Sequence, residues 1–156
     1  MSPTVVEVTD FAVDPNFFDE VRDALSGAIP AQLGRLRSSA HRGGVKVWFD
    51  DANREHYEAQ LIRQDGEVVL EIGFHAEHPK APLNEAALAT LTASEKKWRK
   101  ALGIEPVVGE FIGRATWRRV SECWPAPELD DIDAAIEVAD RLADYIKVLE
   151  PLRRVS

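Results

Sequence analysis

Residues His56–His75 read HYEAQLIRQDGEVVLEIGFH. Two runs of strand-forming residues flank Asp65-Gly66. A two-residue type I′ turn needs positive φ at both central positions, which Asp and Gly tolerate, so the pair predicts a β-hairpin. With that turn at the tip, Gln64 faces Glu67. The ladder then runs through Arg63–Val68, Ile62–Val69, Leu61–Leu70, Gln60–Glu71, Ala59–Ile72, Glu58–Gly73 and Tyr57–Phe74 to His56–His75. Opposed residues share a face of the sheet, and successive pairs alternate. Tyr57, Ala59, Leu61, Leu70, Ile72 and Phe74 therefore form an apolar face. His56, Glu58, Gln60, Glu71, Gly73 and His75 form the other, closed near the tip by Ile62 and Val69. A one-residue slip would mix the two sets, so the pattern fixes the register.

Upstream, Val45–Asp50 (VKVWFD) alternates and predicts a strand, giving a three-stranded meander with the hairpin. Ser38–Gly44 reads as a linker, and Ala31–Arg37 as one or two helical turns. Asp14-Pro15 has the form of a helix start, with Phe17, Phe18, Val21, Leu25 and Ala28 at helical spacing. Residues 1–13 are expected to form an arm or a short strand. Downstream, the prolines of AEHPKAPLN stop the strand after His75. Asn84 is placed to cap one long helix to Leu102, with Leu88, Leu91, Trp98 and Leu102 inward and Gly103 as its stop. Residues 106–124 are too long for one ordinary strand. They predict two strands broken around Gly109–Gly113, or one long bent strand. Asp130 or Asp131 then caps a final helix, residues 130–150, that ends ahead of Pro151. Its apolar stripe includes Ile136, Leu142, Ile146 and Leu149. The order α-β-β-β-α-β-β-α predicts one α+β domain over residues 1–156, with about five mainly antiparallel strands and helices packed on the sheet.

The bulk properties narrow the function classes. The chain has 156 residues and a formal net charge of −8. Such an acidic balance disfavours non-specific binding to nucleic acid or anionic membrane. The single cysteine, Cys123, cannot form an internal disulfide and reads as a small buried hydrophobe. No apolar run approaches the roughly 20 residues of a membrane span. The first residues lack a basic region followed by an apolar core, so the expected localisation is cytoplasmic. No P-loop, dinucleotide fingerprint, nucleophile elbow or C-x-x-C is present, and no cofactor is assigned.

Chemistry-bearing residues gather on the polar hairpin face. His56 and His75 are predicted opposite one another, with Glu58 and Glu71 beside them and His78 following in H-A-E-H. Two imidazoles and a carboxylate suit a divalent metal. The plainer reading is a half-exposed sheet face carrying polar residues by default. The spacing matches no named metal motif, so no metal ligands are assigned. Arg114 and Arg118, with Thr116 between them, can share that face and pair Glu58 and Glu71, or bind an anion. The basic run Lys96–Lys100 (KKWRK) carries Trp98 on the apolar stripe, which favours core over base stacking.

Two resemblances bear on function. Val68–Gly73 (VVLEIG) resembles the third strand of PD-(D/E)xK nucleases, in which an acid and a lysine two residues on hold a metal and activate water. Here Gly73 stands at the lysine position. The order of elements and the acidic charge resemble those of type III secretion chaperones and their relatives. That resemblance implies a non-enzymatic, protein-binding or chaperone-like domain that holds a partner polypeptide or forms a homodimer. The alternative is a metal-dependent hydrolase or small-ligand-binding protein that uses His56, Glu58, Glu71 and His75, with Arg114 or Arg118 on a bound anion. The readings differ in one visible respect. A ligand site needs the polar face walled in, whereas a binding module leaves it open and solvated.

Overall fold

A computed structural model describes residues 15–51, 53–111, 113–126 and 132–154. The helices are α1 (Phe17–Ser26), α2 (Ala81–Thr92), α3 (Glu95–Leu102) and α4 (Ile132–Arg153). The strands are β1 (Leu36–His41), β2 (Gly44–Phe49), β3 (Glu55–Gln64), β4 (Glu67–Ala76), β5 (Val107–Phe111) and β6 (Arg114–Pro125). All six belong to one antiparallel sheet in the order β1-β2-β3-β4-β6-β5. The architecture is α+β, with helices packed on an antiparallel sheet.

The β3–β4 hairpin sits at the centre. Every pair from Gln64–Glu67 to His56–His75 is present, and the ladder extends to Glu55–Ala76. Asp65 (φ 53°) and Gly66 (φ 80°) adopt the left-handed conformations that the turn requires. Tyr57, Ala59, Leu61, Leu70, Ile72 and Phe74 are buried in the main core, with Val45, Val47 and Phe49 of β2 and Val120 of β6. Phe17, Phe18, Val21 and Leu25 of α1 join the same core, as do Leu142, Ile146 and Leu149 of α4. The Tyr57 hydroxyl donates to Glu150 of α4 at 2.9 Å, so the helices lie on this apolar face.

Polar links fasten the helix layer. Glu122 of β6 accepts from Arg141 at 2.7 Å, from the Tyr145 hydroxyl at 2.6 Å and from the Trp124 indole at 2.7 Å. Asn84, fully buried, accepts the His78 backbone N–H and donates to the carbonyls of His78 and Thr116. It ties the chain after β4 to β6 instead of capping a helix.

Several expectations are corrected. The helical turn expected within residues 31–37 is present as a single 3-10 turn at Ala31–Leu33, but Leu36–His41 form a sixth strand in place of the rest of that turn and the expected linker. Arg37, Ser38 and Ser39 carry no apolar alternation because β1 is an edge strand whose pairing is with backbone. The single helix expected over residues 84–102 is two. It begins at Ala81 and breaks at Ala93–Ser94, where the Trp98 indole N–H takes the Leu91 carbonyl at 2.9 Å. The final helix runs through Pro151 to Arg153. Proline normally disfavours that continuation. Here the last turn is pinned by Tyr57 on Glu150 and by Arg153 on both Glu150 and Glu55. Ile136 is 44% exposed although it falls on the expected stripe, and Cys123 is exposed rather than buried. Helix α1 begins at Phe17. The expected Asp14 cap, the N-terminal arm and the Asp130/Asp131 cap lie outside the described residues.

Candidate metal centre

The polar face of the hairpin is not solvated. His56 is 1% exposed, His75 0%, Glu71 0% and Glu58 8%. Burying ionisable groups is expensive unless they are paired. Here each is paired, and among the described residues no buried side-chain nitrogen or oxygen lacks a partner.

Four donor atoms converge. His56 Nε2 lies 3.0 Å from Glu58 Oε1 and 3.4 Å from Glu77 Oε2. His75 Nδ1 lies 3.2 Å from the same Glu58 oxygen and 3.3 Å from the same Glu77 oxygen. All four lie within 4.8 Å of one another. A four-coordinate ion with bonds near 2.0–2.1 Å keeps its donors roughly 3.3 Å apart. The four nitrogen–oxygen separations bracket that value, whereas the nitrogen–nitrogen and oxygen–oxygen pairs are held only within 4.8 Å.

Each imidazole is also held from behind. His56 Nδ1 donates to the Asn53 carbonyl at 2.9 Å, and His75 Nε2 donates to Glu71 Oε2 at 2.6 Å. Glu71 in turn accepts from Gln60 Nε2 at 3.0 Å. A second hydrogen bond of this kind fixes the tautomer and the plane of a metal-binding histidine. It leaves His56 Nε2 and His75 Nδ1 aimed at the carboxylates. Phe111 packs edge-on against the His75 ring, with centroids 4.8 Å apart, and closes one side of the site.

Without a metal, protons fill the same positions. Both nitrogens of each ring face acceptors, so each ring holds two protons. Burial opposes the charge on His75, but Glu71, Glu58 and Glu77 outweigh it and lift its pKa well above 6.5. His56 is raised for the same reason, burial being overcome by Glu58 and Glu77. Burial would lift the Glu58 carboxyl, yet hydrogen bonds from His56 and His75 hold it down to about 2. Glu77 is likewise held down, against burial, by the same two rings.

Strand geometry makes this convergence. His56 and Glu58 are two apart on β3, and Glu71 and His75 are four apart on β4, so all point to one face. Gly73 lies between Glu71 and His75, opposite both Glu58 and Ser121. A Cβ there would stand 2.3 Å from the Val120 carbonyl oxygen and 2.6 Å from Ser121 Cα. The glycine lets β4 and β6 approach closely, and it leaves no room for the lysine that a nuclease strand carries at this point.

The expected site residues divide. His56, Glu58, Glu71 and His75 come together. Arg114 and Arg118 do not join them. Arg118 pairs with Glu85 of α2 at 3.0 Å, on the helix side of the sheet, and Arg114 stacks over Trp117 at 4.8 Å. Of the arginines of β6, it is Arg119 that lies on the polar face, opposite His75, and the Arg119 guanidinium donates to Ser121 Oγ at 3.0 Å. His78 leaves the site to bond Glu55 at 2.7 Å. Glu77 is absent from the residues expected on sequence, where the ladder ends at His75. Its signal is parity, since it lies two residues beyond His75 on the same face.

The site opens into a cleft of about 360 Å³, lined by Ser39, His41, Lys46, Trp48, Asn53, Arg54, Glu58 and Glu77. No family model matches the chain, and neither the curated proteins nor the solved structures compared with it give a match.

Proposed function

We propose that this protein binds a divalent metal through His56, Glu58, His75 and Glu77 and uses it on a small molecule admitted by the adjoining cleft. The observation that carries this reading is the convergence of two nitrogens and two oxygens, with nitrogen–oxygen separations of 3.0–3.4 Å and each ring fixed from behind. Mixed imidazole and carboxylate donors suit zinc, manganese or ferrous iron. With four protein donors in place, a water or substrate oxygen would enter as a fifth ligand from the cleft side, and an ion of this class would there lower the pKa of that water or polarise that oxygen. The chain's own part is to hold the donors rigid and to exclude bulk water from all but the cleft side. Glu71 and the Asn53 carbonyl are positioning groups in this reading.

The test is elemental analysis of the purified chain, with melting curves before and after addition of zinc or manganese. About one ion per chain and a raised melting temperature are expected. A metal-free protein whose melting is unmoved by either ion overturns the proposal and leaves a buried ion-pair network.

A second reading, protein binding or self-association, has one observation in its favour. Ile104 is 86% exposed and Val107, on the β5 edge, 48% exposed. A sheet edge with apolar neighbours is a surface that another chain can extend. Sizing by light scattering, with Val107→Lys as the disrupting variant, tests it. A wild-type monomer that the variant does not change removes self-association through this edge.

A further inference from the structure

The cleft beside the metal centre carries two cations that no ion pair among the described residues balances. Lys46 stands directly opposite Glu58 on the neighbouring strand, and Ser39 opposite Lys46. Ser39, Lys46, Glu58 and Gly73 thus form one cross-strand row that leads from the sheet edge to the centre. Arg54 enters from the loop between β2 and β3. That loop is tied to the centre at two points, since the Asn53 carbonyl accepts from His56 and the Arg54 carbonyl accepts the Glu77 N–H at 2.7 Å. Among the described residues neither Lys46 nor Arg54 has an ion-pair partner, although both line the cleft.

The charges settle what such a cleft attracts. Glu58 and Glu77 together cancel one divalent ion. Glu71 is buried against the His75 ring, and Arg119 lies across from that ring. Lys46 and Arg54 are then left as an excess of positive charge at the mouth of an otherwise acidic protein. Lysine and arginine around a metal are a usual setting for a phosphoryl group, one oxygen taking the ion and the others the cations. The volume of about 360 Å³ fits a metabolite-sized molecule rather than a polymer. Trp48 adds a flat apolar wall for the remainder of such a ligand.

We infer that the cleft binds the phosphoryl group of a small phosphorylated molecule, with Lys46 and Arg54 as its anchors beside the metal. This rests on the metal reading above. The experiment is calorimetric titration of inorganic phosphate into the zinc- or manganese-loaded chain, with malonate as a second anion. Metal content is measured on the same sample. Phosphate is expected to bind the loaded chain and not the metal-free one. Lys46→Ala and Arg54→Ala should each weaken it about tenfold or more, the usual scale for losing a charged anchor, without changing metal content. Lys46→Met, which keeps the side-chain length on this half-exposed strand position and sets no like charge opposite Glu58, should weaken it as Lys46→Ala does while the melting temperature stays near that of the wild type.

A chain that takes up metal but binds no phosphate overturns the anion assignment and leaves the metal reading standing. So does phosphate binding that neither alanine variant weakens. Tighter binding of malonate than of phosphate overturns the phosphoryl assignment in favour of a carboxylate. A chain that takes up no metal overturns both readings together.

Discussion

Replacing Glu71 by glutamine changes one charge and almost no shape. Glu71 is fully buried, accepts His75 Nε2–H at 2.6 Å and is not among the four converging donor residues. A carboxylate behind a ligating imidazole raises its basicity, and removing such partners typically costs about 10–100-fold in metal affinity. That corresponds to roughly 1.4–2.7 kcal/mol. In Glu71→Gln the side-chain amide oxygen can still accept from His75, so the ring keeps its place while the negative charge is lost. The expected loss therefore lies near the lower end, about tenfold. The metal-free protein should also be destabilised, because the doubly protonated His75 loses one of its counter-ions in a buried site. Competition against a chromophoric chelator reads the affinity, and urea unfolding with and without metal reads the stability. An unchanged metal affinity, with the variant folded, would refute the assignment of Glu71 as the group behind a metal-binding ring. It would mark the Glu71–His75 pair as a structural salt bridge.

Three further outcomes follow from the same geometry. Glu122→Ala strips Arg141, Tyr145 and the Trp124 indole of a shared buried acceptor. Urea unfolding should register a loss of about 3 kcal/mol or more, with metal affinity unaltered because this network lies on the helix side. Gly73→Ala forces a Cβ to 2.3 Å from the Val120 oxygen. Circular dichroism melts should show a loss of several kcal/mol, as close-packed backbone cannot yield locally; wild-type melting would contradict the close approach of β4 and β6. The third outcome concerns pH. The raised His56 and His75 pKa values stabilise the metal-free fold fully below about 6.5, and that contribution fades as pH rises through the folded values. The depressed Glu58 pKa works in the other sense. Its contribution is full above 4.5 and is lost as pH falls toward about 2. Metal uptake requires bare rings, so one divalent ion replaces about two protons. Metal affinity should therefore rise with pH up to the raised values of the two rings, while melting of the metal-free protein falls as pH climbs from about 6.5 through those values. A metal affinity independent of pH would contradict this exchange.

Much of the fold is legible because the central hairpin states its own register. Asp65-Gly66 names the turn, and the alternation from Tyr57 to Phe74 leaves only one pairing that buries one face. The β1 strand is not legible, since Arg37-Ser38-Ser39 shows no period of two. The break at Ala93–Ser94 is hidden because alanine and serine do not forbid a helix, and it depends on the Trp98 indole reaching Leu91. The α4 extension through Pro151 depends on Glu55 and Tyr57, which lie nearly a hundred residues earlier in the chain.

The candidate site is half legible. Register alone brings His56, Glu58, Glu71 and His75 to one face. It does not reveal that the face is buried, because what closes it comes from elsewhere, as Phe111 does over His75. The arginine expected on that face is off by one residue. The pairing of β6 with β4 sets Arg119, not Arg118, on the polar side, and no turn in the sequence fixes that register.

The position of a bound metal is the most direct test of the proposed centre. Crystals of the chain soaked in zinc or manganese, with diffraction recorded across the metal's absorption edge, would locate the ion by its anomalous signal. One dominant peak is expected between His56 Nε2, His75 Nδ1, Glu58 and Glu77, at roughly 2.0–2.2 Å from each donor. A map with no peak there, and both rings still hydrogen-bonded to the carboxylates, would contradict the metal centre.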